Sequence, residues 1–442
     1  MFRSAAKVSG RRLLSTASAQ TQYTSLANGL TVATEANPLA KSSTIGLWIG
    51  AGSKFENRYN NGVSKLTANI LAESSKAAAA KEGILVGTSA ERESIALYGT
   101  TLANKTSEVV ELLAQQLSGP ALTDALLASE KSKAIADAEL IETIPKKTVL
   151  EHLHATAFQG TPLSLPIQGT PEGLANIEAS DIESLLSKHA VSSNIVVVGA
   201  GNVDHEELVN LVEKKLNIKS GLAPTVKPTK FLGSDLKFRD DTLPSAYISI
   251  AVEGPAFNAP EYYTAKVASE IFGTYTSSEP ISVRQGSKLA NIVTENHLAQ
   301  HFEHFSLGYK DTGLWGFYTE TSNVSNIDDL VHFSLKQWNR LSTEITETEI
   351  VRAKNILKTK ILLSMNSTVA IANDIGNKVL INDRRPSIEE IFRKIDQVSA
   401  KSVTAWAQEA VWDQDIAVTG TGQIEGLFDY NRIRNEMALL RW

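Results

Sequence analysis

The chain has 442 residues, 42% hydrophobic and 21% charged, with a formal net charge of −6 and no cysteine. Length of this order favours two or more domains over one, the acidic balance argues against a nucleic-acid binder, and the missing thiols exclude disulfides, thiolate metal sites and a cysteine nucleophile. No run approaches the roughly 18 apolar residues that a bilayer-spanning helix needs.

The first residues differ in kind. Met1 to Thr34 holds no Asp or Glu, and Arg3, Lys7, Arg11 and Arg12 alternate with Phe2, Val8, Leu13, Leu14 and several Ser and Thr. That composition is a mitochondrial transit peptide, with cleavage expected after Leu14, so residues 1–14 are set aside from the fold. Asn28-Gly29 then turns the chain into a short strand, Leu30 to Glu35. An apolar strand, Thr44 to Ile49, leads through a Gly- and Asn-rich loop to Asn60-Asn61-Gly62. From there Val63, Leu66, Ile70 and Leu71 keep one face of a helix. Ser94 to Tyr98 reads as a strand. Val109, Leu112, Leu113 and Leu117 mark a helix that Gly119-Pro120 ends. A helix from Thr123 stops before Pro145, and another carries Val149, Leu153 and Ala157. Ser180-Asp181-Ile182-Glu183 has the pattern of a capping box. Ile195 to Val198 is a short buried strand, and Asp204 opens the helix of Leu208, Leu211 and Val212.

Residues 217–235, with Gly221, Pro224, Pro228 and Gly233, read as a linker. A second half then starts as the first did: an apolar strand (Tyr247 to Val252), a Pro/Asn loop, and a helix from Glu261. The clearest repeat lies at the ends of the halves. Ile177 to Asn202 aligns without a gap onto Val398 to Gln423, so Gly199-Ala200-Gly201 meets Gly420-Thr421-Gly422. The expected architecture is two copies of one α+β domain, at 25–216 and 236–442.

Few residues suggest chemistry. Gly199-Ala200-Gly201 lacks the third Gly of a dinucleotide fingerprint, and Asp204 stands where phosphate would lie. All eight His fall at or beyond position 152. His297, His301 and His304, with Glu303, form the one cluster. Its spacing partly imitates a zinc motif, but Gln300 cannot act as a base, and Phe302 to Gly313 reads as a strand and hairpin turn. His152 and His154, two apart on a helix, point to different faces.

Asn60-Asn61-Gly62-Val63-Ser64, His152 to Phe158, Pro171 to Ile177 and Arg384-Arg385-Pro386 through Val403 resemble the pitrilysin-type zinc peptidases. Within them they are most similar to the branch of the mitochondrial processing peptidase subunits and the core proteins of the cytochrome b-c1 complex. That family carries H-x-x-E-H on this helix: two His bind zinc and the Glu activates water. Here the pentad is Lys65-Leu66-Thr67-Ala68-Asn69, so the ligand positions hold Lys65 and Asn69 and the base position holds Ala68. The distal ligand position falls at Asp137, with Glu130 two turns earlier. The glycine-rich loop of processing-peptidase α subunits is absent, since Ser277 to Ile292 has only Gly286.

The resemblance implies two similar α+β domains, each an antiparallel sheet with helices packed on one face, enclosing a cleft. It implies no catalytic, cofactor-binding or metal residue and no cofactor. The expected role is a non-catalytic structural and assembly subunit of ubiquinol–cytochrome c reductase, peripheral on the matrix side of the mitochondrial inner membrane. Expected partners are core protein 2, cytochrome b, cytochrome c1 and other subunits, in a dimeric complex open to respiratory supercomplexes, and no nucleic acid. The alternatives are a processing-peptidase metalloendopeptidase subunit and a presequence-binding module.

Overall fold

The computed structural model describes residues 20–102, 105–118, 122–282 and 286–438. The expected transit peptide and the Gly119-Pro120 helix stop lie outside these.

The first half contributes strands β1 (Gln22–Ser25), β2 (Thr31–Ala36), β3 (Ser42–Ile49), β4 (Leu85–Ala90), β5 (Ile95–Leu102) and β6 (Ile195–Gly201). The second contributes β7 (Ser234–Arg239), β8 (Ala246–Gly254), β9 (Thr274–Thr276), β10 (His301–Gly308), β11 (Gly313–Thr321) and β12 (Ala417–Gly422). They form two sheets, ordered β1-β2-β6-β3-β5-β4 and β7-β12-β8-β11-β10-β9. Five strands correspond in the same order: β2-β6-β3-β5-β4 with β7-β12-β8-β11-β10. Both sheets are antiparallel except for one pair, β2 with β6 and β7 with β12. The last strand of each half returns after a long helical excursion. A connection of that length permits the parallel pairing that a tight turn forbids.

The helices of the first half are α1 (Val63–Glu82), α2 (Thr106–Ser118), α3 (Asp124–Glu142), α4 (Pro145–Ala157), α5 (Pro171–Asn176), α6 (Ala179–His189) and α7 (His205–Lys215). Those of the second are α8 (Tyr262–Phe272), α9 (Lys288–Glu295), α10 (Ile327–Leu341), α11 (Glu347–Ser364), α12 (Thr368–Asn382), α13 (Ile388–Gln397), α14 (Ala400–Ala410) and α15 (Tyr430–Glu436). The capping box of α6 sits two residues earlier than the sequence suggested. Glu178 is the N-cap residue, and Asp181 accepts its backbone N–H at 2.9 Å. Ser180 and Glu183 are inside the helix.

Each sheet is apolar on both faces, because successive strand residues alternate sides. On β3, Ile45, Leu47 and Ile49 join Leu66 and Ile70 of α1 in one core, while Trp48 faces the other way. That second face receives Ala372, Ile375 and Val379 of α12, a helix from the other half. The exchange is reciprocal. Val149, Leu153 and Ala157 of α4, from the first half, cover Tyr247, Ala251, Leu314, Tyr318 and Ala417 of the second sheet. Each half therefore completes the core of the other. Burial of the Val, Leu and Ile side chains among them, at about 1.5–3 kcal/mol each, makes the two sheets one packed body.

The turn glycines predicted from the repeat occupy equivalent places. Gly201 and Gly422 end β6 and β12 with φ of 99° and 92°. A left-handed backbone of that kind favours Gly.

Candidate functional site

The pentad lies on the first two turns of α1, whose start is fixed by a buried carboxylate. Glu56 accepts the backbone N–H of Gly62 at 2.7 Å and of Ser64 at 2.8 Å, and the Asn61 side-chain amide at 2.8 Å. The two backbone N–H groups, otherwise unpaired at a helix N-terminus, suit a carboxylate. Burial nonetheless raises the Glu56 pKa, with the donors working against it. Gly62 has φ of 98°, and a Cβ there would lie 2.6 Å from the Leu174 side chain. The backbone must pass this point without a side chain to deliver the pentad at its place on the helix.

Along that turn, Ala68 is buried while Lys65 and Asn69 are half-buried. Asn69 Oδ1 accepts from the Thr88 hydroxyl of β4 at 3.4 Å. Burial lowers the pKa of Lys65, and the Asp137 charge on α3 partly restores it. Glu130 is buried on the same helix and ion-paired to Lys133 at 2.7 Å. Asp137 thus faces the pentad helix near Lys65. The donor set does not fit zinc: an ammonium has no lone pair to give, Ala68 has no donor atom, and Asn69 has a weak amide oxygen. Among the described residues no group of three or more His, Cys, Asp or Glu is placed to hold a metal ion.

The histidine cluster is pulled apart by β10. His301 and Glu303 share one face of the strand and lie 3.7 Å apart; Lys146 of α4 reaches Glu303 at 2.8 Å. These partners, His301 first, hold the Glu303 carboxyl down at about 2. His304 points to the opposite face and is buried among Phe272, Phe317 and Trp338. Trp338 Nε1 donates to its Nε2 at 3.0 Å, and burial pushes its pKa down to about 3. It is a neutral core histidine. His297 sits in the turn after α9 with φ of 52°. His152 packs on Phe238, and His154 points elsewhere, into the seam between the halves.

That seam holds the buried cations Lys54, Arg92 and Arg385, which no sequence pattern marks. Lys54 pairs with Glu93 at 2.7 Å and with Asp311 of the second half at 2.6 Å. Asp311 also accepts the Thr229 N–H at 2.8 Å, tying the connecting segment down. Arg92 pairs with Glu151 at 2.5 Å and donates to the Leu165 carbonyl at 2.6 Å. Arg385 joins Asp374 at 2.6 Å and Glu35 of β2. Between the halves a cavity of about 720 Å³ remains, bounded by α4, α8, α12 and the β10 end.

Sequence comparison agrees with this geometry. The profile of Insulinase (Peptidase family M16) matches residues 31–171, and that of the Peptidase M16 inactive domain matches residues 176–357. The chain belongs to peptidase family M16. It is 47% identical to cytochrome b-c1 complex subunit 1 of Saccharomyces cerevisiae, over 98% of this chain and 97% of that one. The Candida albicans cytochrome b-c1 complex reductase subunit is 43% identical, over 98% of each chain. The β subunit of the Neurospora crassa mitochondrial-processing peptidase is 38% identical, over 95% of this chain and 91% of that one. Among solved structures, a chain of complex III2 from Candida albicans superposes with a TM-score of 0.89 at 43% identity, covering 94% of this chain and 99% of that one.

Proposed function

We propose that the chain is a non-catalytic core subunit of the mitochondrial ubiquinol–cytochrome c reductase complex. One observation carries the reading. A full-length peptidase frame presents Lys65, Ala68 and Asn69 where hydrolysis needs two ligands and a base, and the end-to-end relatives at 47% and 43% identity are subunits of the cytochrome b-c1 complex. No described helix is long and apolar enough to cross a membrane. The chain is therefore held at the inner membrane by protein contacts, on the matrix side, against core protein 2, cytochrome b and cytochrome c1 in a dimeric complex. Residues 1–14 direct import, and 217–235 join domains at 25–216 and 236–442. The test is purification of the tagged protein from detergent-solubilised mitochondria. Haem-containing partners in constant ratio support the reading, and recovery with a processing-peptidase α subunit and no haem overturns it.

The second reading is a module that holds a presequence without cutting it. It draws on the processing-peptidase β relative at 38% identity. A peptide-binding assay with the purified protein separates the two.

A further inference from the structure

The cavity between the halves has a charge arrangement that the scaffold role leaves unexplained. Its volume, about 720 Å³, is that of a small-molecule site. Its wall is largely apolar, with Phe257, Tyr262, Leu307, Ile361 and Met365 on the lining. Two ammonium groups, Lys266 of α8 and Lys378 of α12, line the same space. Lys378 is ion-paired to Asp374 at 2.7 Å. Lys266 is half-buried with its Nζ 4.8 Å from the centre of the Tyr262 ring, and it has no carboxylate partner among the described residues. Of the other charges on the lining, Arg92 is paired with Glu151 and Asp374 with Lys378 and Arg385, while Glu91, whose pKa burial raises, accepts from the Asn377 amide at 2.9 Å. Burial holds the Lys378 pKa down, and Arg385 and Lys266 act on it as like charges. An unpaired cation beside a second cation, against an aromatic ring, is a place where an anion gains and a cation loses. Asn373 adds a carboxamide whose Oδ1 is buried without a partner. Its side chain lines the same space.

We propose that this cavity binds a single-chain anionic amphiphile, a carboxylate on an extended apolar body, with its head group on Lys266 and its chain along Leu307, Ile361 and Met365. The apolar wall supplies affinity, and Lys266 supplies the preference for the anion. Lys378 and Asn373 complete the head-group end.

The test uses the full chain in the complex purified from its native membrane and a photoreactive dodecanoate, with labelled peptides mapped by mass spectrometry. Labelling on the segments holding Leu307 and Met365, displaced by plain dodecanoate and not by dodecylamine, is expected. Lys266→Gln should weaken labelling about tenfold or more, the loss expected for one charge-assisted hydrogen bond, while Lys266→Arg retains it. Leu307→Trp, which fills the chain end, should block labelling with the complex intact. Three results would each overturn the proposal: no label on these segments, equal displacement by dodecylamine, or unchanged labelling in Lys266→Gln complex of normal subunit content.

Discussion

Gly376 of α12 lies face-on to the indole of Trp48 on β3, so close that a Cβ at position 376 would overlap the ring at Cγ and Cδ1. Trp48 is 1% exposed and cannot move aside. The missing side chain lets a helix of the second half close over the sheet of the first. Gly376→Ala is therefore expected to destabilise the protein by about 1–3 kcal/mol, the usual cost of overpacking, although the same change would favour an isolated helix. Thermal unfolding reads the effect. Trp48→Leu in the same chain should recover part of the loss, and an unchanged melting temperature in the single variant would refute the packing account.

A second contact across the seam depends on protonation. His154 Nδ1 donates to the Leu150 carbonyl at 2.7 Å, so Nε2 accepts from the Tyr309 hydroxyl at 2.6 Å. Burial, with the Arg92 charge, holds the His154 pKa well below 6.5, and burial lifts Tyr309 to about 12. The histidine is therefore neutral when folded. Its depressed pKa means that the unfolded chain takes up the proton first. This contribution to stability is complete above about pH 6.5 and is lost progressively as pH falls below it. Tyr309→Phe leaves Nε2 buried without a donor and should cost about 1–3 kcal/mol at neutral pH. Denaturant titrations of both proteins at pH 7.5 and pH 5.5 check both statements. A wild-type midpoint that does not fall at the lower pH contradicts the depressed His154 pKa.

The pentad makes a prediction about metal. The mature protein should hold no stoichiometric zinc at Lys65-Leu66-Thr67-Ala68-Asn69 and cleave no presequence, because neither a Lewis acid nor an activated water can form there. Elemental analysis showing one tight zinc that disappears in Asn69→Ala protein would refute it. The triple change Lys65→His, Ala68→Glu, Asn69→His should restore weak binding at most. Asp137 would still stand at the distal ligand position, and outer partners are typically worth about 10–100-fold in affinity or activity.

Sequence and structure agree where local chemistry decides the outcome. Apolar periodicity set α1 from Val63. Asp311 and Thr312 gave the β10–β11 turn, and the repeat placed Gly201 and Gly422 at equivalent left-handed turns. The two-domain α+β reading rested on the same patterns. The parallel pairs β2–β6 and β7–β12 were not legible, because strand order depends on contacts between segments more than 150 residues apart. Nor was the exchange of α4 and α12. Val149, Leu153 and Ala157 make an ordinary apolar stripe, and a stripe does not name the sheet that it covers. At the site, the identities of Lys65, Ala68 and Asn69 on the first turns of the helix could be read directly. Glu56 could not, since an acidic residue in a polar loop has no sequence mark that distinguishes a buried helix cap from a solvated side chain. The seam pairs of Lys54, Arg92 and Arg385 are invisible for the same reason: their partners lie in other elements, up to 350 residues away.

The final prediction concerns assembly. On the proposed role, the chain would be held at the inner membrane by contacts with other subunits of the complex. Obligate interfaces of that kind run to roughly 2,000–5,000 Å² and are largely apolar. Expressed without its partners, the mature chain should expose such a surface and aggregate. Deleting the gene should lower the amount of assembled complex and leave the chemistry of each remaining complex intact. Haem and cluster chemistry needs axial His, Met or Cys ligands. This chain has no cysteine, and of its eight histidines His154, His301 and His304 are engaged with Tyr309, Glu303 and Trp338. The measurement is ubiquinol–cytochrome c turnover divided by haem b content in a deletion strain. Lower haem b with constant turnover per haem is expected. Normal haem b and normal complex with collapsed turnover per haem would assign the chain a part in catalysis and end the scaffold reading.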